Sequence, residues 1–135
     1  MPNNSTDFIW SQDAILHSGN RERVFSEVHR VLAKGGQFIF TDPMQSEGCS
    51  KEALKPILDR IHLDSLGSIE YYKKILLQLG FKEVQIFDYS SQLSNHYARV
   101  LEEVQANERT LIRVCSEEYV DRMKVGLQHL SLIHI

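Results

Sequence analysis

The sequence predicts an α/β fold, the back half of a doubly wound parallel sheet with additional helices. Three observations carry that expectation. The apolar run Asp7-Phe8-Ile9-Trp10 breaks on the polar triplet Ser11-Gln12-Asp13, a second run at 37 to 41 breaks on Asp42-Pro43, and an amphipathic stretch lies between them. Aromatic and β-branched residues suit strands, and two strands joined through a helix run parallel by a crossover connection.

The first strand is expected at 7 to 12. In NRERVFSEVHRVLAKGG, Val24, Phe25, Val28, Val31 and Leu32 recur at helical spacing with charges on the other face, so this segment should be a helix covering the sheet. Asn20 is placed to cap its start, and Gly35-Gly36 to stop it. The second strand follows at 37 to 41. Two successive strands then end in carboxylates at one edge of a sheet, where parallel α/β sheets face their ligands.

Between 45 and 67 the periodicity weakens. Ser50 can cap a short helix, and Pro56 either kinks that helix or marks the first turn of another. SIEYYKKILLQLG reads as a helix with Ile69, Tyr72, Ile75, Leu76 and Leu79 inward, Ser68 as cap and Gly80 as stop. FKEVQIFDYS reads as a third strand through Val84, Ile86 and Phe87. The remainder reads as helical, with one stripe of Leu93, Tyr97, Val100, Leu101 and Val104 and another of Tyr119, Val120, Met123 and Leu127.

Length and composition bound the rest. The chain has 135 residues, 42% hydrophobic and 24% charged, with a formal net charge of −3 and a sequence pI near 6.0. That suits one folding unit of ordinary globular composition, and the absence of a basic run argues against a nucleic-acid surface. No apolar run reaches bilayer-spanning length and the N-terminus lacks a signal-peptide pattern, so a cytoplasmic protein with no membrane partner is expected. The two cysteines, Cys49 and Cys115, lie far apart and read as reduced thiols, with no metal site. Three strands are few for a sheet covered on both faces. The expectation is the back half of a larger doubly wound domain over 1 to 130 and an atypical apolar tail over 131 to 135.

The runs PNNSTDFIWSQDAILH, VLAKGG and QFIFTDPM together resemble the second half of a class I S-adenosylmethionine-dependent methyltransferase, a Rossmann-like fold. PILDRIHLDSLGS, SNHYARV and CSEEYVDRMKVGLQH extend the resemblance to the N-methyltransferases of glycine, sarcosine and dimethylglycine that form glycine betaine. The likeness runs from Pro2 to His129. It implies S-adenosyl-L-methionine as cofactor and a small amine as substrate. The family's glycine-rich first loop has no counterpart: no G-x-G-x-x-G occurs, and the only adjacent glycines are Gly35-Gly36. The resemblance thus implies that the absent first half is the cofactor-binding one.

Methyl transfer to an amine is an in-line displacement, so alignment and exclusion of water dominate, with carboxylates, hydroxyls and aromatic faces stabilising the charge that grows on nitrogen. By the resemblance, Ser11, Gln12 and Asp13 form the floor of the cofactor site, and His17, one helical turn beyond Asp13, looks into the substrate cavity. The bland alternatives are that Asp13 caps the following turn and His17 is a surface histidine. Asp42 would sit beside the same cleft with Met44 lining it, or Asp-Pro is only a turn signal. Arg60 is a candidate for the substrate carboxylate through a bidentate contact, against a solvated surface role. His96 and Tyr97 lie on a helix that the family uses near the substrate; Tyr97 also belongs to an apolar stripe. Tyr72 falls on the buried stripe of its helix, and Tyr71 does not.

The catalytic candidates are thus His17, Asp42 and Tyr97, the cofactor candidates Ser11, Gln12 and Asp13, and the substrate candidates Met44, Arg60 and His96. Three functions compete: methylation of sarcosine or dimethylglycine, methylation of another small acceptor such as phosphoethanolamine or a quinone, and a non-catalytic fragment unable to bind cofactor alone.

Overall fold

The computed structural model describes residues 1–132; of the expected tail at 131 to 135, residues 133–135 lie outside the described residues. The chain divides into two compact units, one of residues 1–86 and one from Phe87 onward.

In the first unit, β1 (Thr6–Gln12) pairs in parallel with β2 (Leu32–Thr41) through the crossover helix α1 (Arg21–Val31). Asn20 caps α1, its side chain accepting from the Arg23 N–H. The helix does not run on to Gly35-Gly36 as expected. It stops at Val31, and Leu32 is already extended and opposite Thr6. The pairing then jumps to Phe8 opposite Gln37, so the two glycines serve a bulge, not a helix end. Gly35 has φ 78°, and a Cβ on Gly36 would stand 3.0 Å from the Asp7 carbonyl oxygen. A side chain there would press on the facing backbone unless it gave way by a few tenths of an ångström, so glycine suits this approach of the two strands.

Two further helices complete the unit. α2 (Lys51–Ile61) is capped by Ser50, whose hydroxyl accepts from the Ala53 N–H, and it carries Pro56 inside one continuous helix. α3 (Ile69–Leu79) is capped by Ser68 and closed by Gly80 at φ 99°. Phe25 is fully buried and forms the core with Ile15, Tyr72, Ile75 and Leu76; Phe38, Phe40 and Met44 pack against it. Ile69, expected inward, is instead 39% exposed at the first position of α3. The other face of the two strands presents Phe8, Trp10 and Ile39, all exposed among the described residues.

The expected third strand is not formed. Residues 81 to 89 are irregular, Glu83 has φ 55°, and Phe87 is 70% exposed. A left-handed residue reverses the alternation that a strand needs, and without a ladder partner an apolar run has no strand to be.

The second unit consists of α4 (Ser90–Ala106), α5 (Glu108–Val114) and α6 (Glu117–Leu132). Val104, Val120 and Leu127 are its buried core, with Tyr97, Val100, Leu101 and Met123 packed against them. The two expected stripes meet, except that Leu93 is not among the residues packed on this core and Tyr119 is 49% exposed. Lys124 is held by Glu108 at 2.6 Å and Asp121 at 2.9 Å, which pushes its ammonium up to about 12. No helix among the described residues is long and apolar enough to cross a membrane.

Candidate active site

The carboxyl ends of β1 and β2 lie side by side, Gln12 opposite Thr41. The next residue of each strand is an aspartate, and the two do different work. Asp13 turns the chain in the left-handed region at φ 46°, which aspartate tolerates better than most residues. Its N–H donates to the Thr41 carbonyl at 2.8 Å, and the Thr41 hydroxyl donates to Asp13 Oδ1 at 3.0 Å. Asp13 Oδ2 makes no hydrogen bond among the described residues. The short 3-10 turn that follows, Ile15–His17, receives no side-chain cap from its own N-cap position.

That turn is capped from across the sheet. The Leu16 N–H donates to Asp42 Oδ1 at 3.1 Å, and the Tyr72 hydroxyl donates to Asp42 Oδ2 at 2.6 Å. Burial pushes the Asp42 carboxyl above the usual carboxylate range, against the pull of the Tyr72 hydroxyl, the Leu16 N–H and the more distant Arg21. Burial and the Asp42 carboxylate in turn push the Tyr72 phenol up, so it remains a donor. Room for its ring comes from Gly67, where a Cβ would lie 2.3 Å from Tyr72 Cζ.

Of the residues singled out in the sequence, Ser11, Gln12, Asp13, His17 and Asp42 come together at this edge. Ser11 is half-buried, while Gln12, Asp13 and His17 are exposed. Met44 follows within two residues of Asp42 and packs against the core. Arg60 is exposed in the last turn of α2. His96 and Tyr97 belong to the second unit: His96 is exposed, its ring centroid 5.5 Å from that of Tyr97, and Tyr97 is half-buried against the second core. Tyr72 fills its expected place in the core, but its hydroxyl reaches a partner thirty residues earlier. Arg21, at the first position of α1, carried no sequence signal beyond that of a solvated charge. It lines an open depression of about 370 Å³ with Gln45, Ser65, Leu66, Ser68 and Tyr71. No cluster of three or more His, Cys, Asp or Glu placed to hold a metal ion exists among the described residues.

Comparison with known proteins gives this edge a context. Residues 1–40, which span β1, α1 and all but the last residue of β2, match the model of a methyltransferase domain. The chain is 54% identical over 127 residues to the sarcosine/dimethylglycine N-methyltransferase of Aphanothece halophytica, covering 94% of this chain and 46% of that protein. The crystal structure of a protein from Galdieria sulphuraria, provisionally named a sarcosine dimethylglycine methyltransferase, superposes with a TM-score of 0.88 at 39% identity over 97% of this chain and 48% of that one. Phosphoethanolamine N-methyltransferase 2 of Haemonchus contortus, solved with phosphomonomethylethanolamine and S-adenosylhomocysteine, shares the fold with a TM-score of 0.85 at 21% identity, over 96% of this chain and 30% of that one. The chain thus spans about half the length of the curated relatives it matches, and its mixed helix and parallel-strand structure is part of a Rossmann-like methyltransferase fold.

Proposed function

We propose that this chain, similar by sequence and by fold to about half of a sarcosine/dimethylglycine N-methyltransferase, is the carboxyl-terminal portion of an S-adenosylmethionine-dependent enzyme that methylates a small amine in glycine betaine synthesis. The 54% identity to the Aphanothece enzyme is the observation that carries this reading. S-adenosylmethionine, when bound, supplies an electrophilic methyl group on a sulfonium.

The donor set at the strand ends suits that cofactor's amino acid end. The Asp13 carboxylate accepts a single hydrogen bond, from Thr41, and keeps one oxygen for an ammonium. Ser11 and Gln12 precede it along the strand end and complete the floor. Asp42 acts through others: by fixing Leu16 it orients the turn that ends in exposed His17, the residue we assign to the acceptor side. His17 would take the proton from the acceptor's ammonium, which frees the nitrogen lone pair for in-line attack on the methyl group. Met44, two residues beyond Asp42, and Arg60 are further substrate candidates within the same unit.

The direct test is methyl transfer from labelled S-adenosylmethionine to sarcosine, dimethylglycine and phosphoethanolamine by the purified chain. Transfer to the first two alone supports the reading; transfer to phosphoethanolamine alone moves the acceptor to the phosphate-bearing class. One observation favours a second reading, in which the isolated piece is non-catalytic. Phe8, Trp10 and Ile39 stand open on one face of the sheet, an apolar surface that a complete domain of this class covers on both sides. A folded chain that binds no S-adenosylhomocysteine in calorimetric titration would favour that second reading.

A further inference from the structure

Arg21, beside the strand ends, has no carboxylate within ion-pair distance among the described residues, although the Asp42 carboxyl feels its charge from further away. Its Nη1 donates to Ser65 Oγ at 3.0 Å, and its Nη2 donates to the Leu16 carbonyl at 3.0 Å and the Ser65 carbonyl at 2.6 Å. All three acceptors are neutral oxygens, and no carboxylate is ion-paired with Arg21 among the described residues. Its Nε is buried without a hydrogen-bond partner. Buried donors are normally satisfied, so this unsatisfied one sets Arg21 apart from the other side chains among the described residues. The guanidinium is also held at fixed orientation, because it spans from Leu16 to Ser65. Leu16 is therefore gripped from two sides, by Asp42 through its N–H and by Arg21 through its carbonyl.

We propose that Arg21 is the carboxylate-recognition residue of the acceptor site. A small amino acid whose nitrogen is methylated carries its negative charge a few bonds from the reacting nitrogen. A half-buried, pre-oriented guanidinium lining an open depression of about 370 Å³ suits that group. Gln45, Ser65, Ser68 and Tyr71 supply the remaining polar lining, and Arg21 is the only charged residue among the described residues that line it. Because Arg21 shares Leu16 with Asp42, a carboxylate bound there is registered against the same turn that presents His17. The inference rests on the amine-methylating reading and deepens it by naming what recognises the acceptor's acid group.

The test follows the Arg21 Nε–H resonance of the labelled chain by NMR while N,N-dimethylglycine, 2-dimethylaminoethanol and phosphoethanolamine are titrated separately. The first two share the amine and differ in the carboxylate. Saturable movement of that resonance by dimethylglycine, with about tenfold or weaker binding of the alcohol, is expected, since hydrogen bonds to charged groups are worth that ratio or more. Neither variant carries that resonance, so both are read by calorimetric titration: Arg21→Gln should abolish the preference for dimethylglycine over the alcohol, and Arg21→Lys, which keeps the charge, should restore part of it. Equal affinities, equal losses for both ligands in Arg21→Gln, or tighter binding of phosphoethanolamine would each overturn the proposal. If Arg21→Gln does not fold, the wild-type titration and Arg21→Lys still decide. Methylation of dimethylglycine without any response at Arg21 would sink this inference and leave the function standing; a response at Arg21 without methyl transfer would do the reverse.

Discussion

Tyr72 and Asp42, thirty residues apart in sequence, are joined by a 2.6 Å hydrogen bond in which the phenol donates to the carboxylate. The bond couples the core helix α3 to the carboxyl edge of the sheet, since the other Asp42 oxygen holds the Leu16 N–H. Replacing Tyr72 by Phe keeps the ring in place and removes only the donor. A half-buried carboxylate then loses its closest partner, which should cost about 1–3 kcal/mol. Urea denaturation of the variant measures it, and a loss below a few tenths would mean that water replaces the hydroxyl.

Asp42 also makes stability depend on pH in a stated direction. Its folded-state pKa is raised, with burial as the largest cause. A group raised on folding contributes most below its unfolded value, and that contribution fades as pH climbs through the folded value. Relative to Asp42→Asn, the wild-type chain should therefore lose stability as pH rises from the ordinary aspartate value near 4 towards neutrality. The groups facing Asp42 are Tyr72, the Leu16 N–H, Arg21 and Asp13. Taking the difference between the two proteins cancels the titrations they share. Parallel stability curves, or a difference of opposite slope, would show that hydrogen bonding outweighs burial at this site.

Gly67 supplies a steric prediction. A methyl group there would stand 2.3 Å from Tyr72 Cζ, whereas at Gly19 it would meet nothing within 4 Å. Gly67→Ala must displace the tyrosine ring or the loop, at a cost of about 1–3 kcal/mol. Gly19→Ala should be nearly neutral. Thermal melts of the two variants, run side by side, check the contrast; equal melting temperatures would mean that the 67 loop yields freely.

Much of the frame was legible in the amino-acid order because local signals agreed. Asn20, Ser50 and Ser68 each cap the helix they were expected to cap, and Tyr72, Ile75 and Leu76 lie buried at their helical spacing. What failed was non-local. Gly35-Gly36 look like a helix stop, yet the pairing of Leu32 with Thr6 ends the helix earlier and turns the glycines into a bulge. The run Val84, Ile86, Phe87 has strand composition, but a strand exists only with a partner, and none pairs with it among the described residues. At the site, Asp42 and Asp13 were marked by their place after strands. The roles of Tyr72 and Arg21 were not, because a hydroxyl bonded thirty residues away and a guanidinium braced on Ser65 leave no periodic trace.

Asp13 allows structure and function to be separated in one position. It holds φ at 46°, a conformation that costs most side chains about 1 kcal/mol or more, and its carboxylate takes one hydrogen bond from Thr41. Asp13→Gly removes the carboxylate and relieves the backbone, while the Asp13 N–H bond to the Thr41 carbonyl survives. Added backbone entropy in the unfolded chain and the lost hydroxyl bond oppose that relief, each by about 1 kcal/mol, so the net loss of stability should be about 1 kcal/mol. Binding of S-adenosylhomocysteine should not be spared. If the free carboxylate oxygen holds the ligand's ammonium, its loss weakens binding by about tenfold or more. Asp13→Ala is the control in the other direction, since it keeps the strain, loses the carboxylate and should fall in both stability and affinity. Calorimetric titration and chemical denaturation of the three proteins read both quantities. Undiminished affinity in Asp13→Gly would return Asp13 to the turn alone and shift the cofactor floor to Ser11 and Gln12. No binding by the folded wild-type chain would instead favour the reading in which this half of the domain does not hold the cofactor by itself.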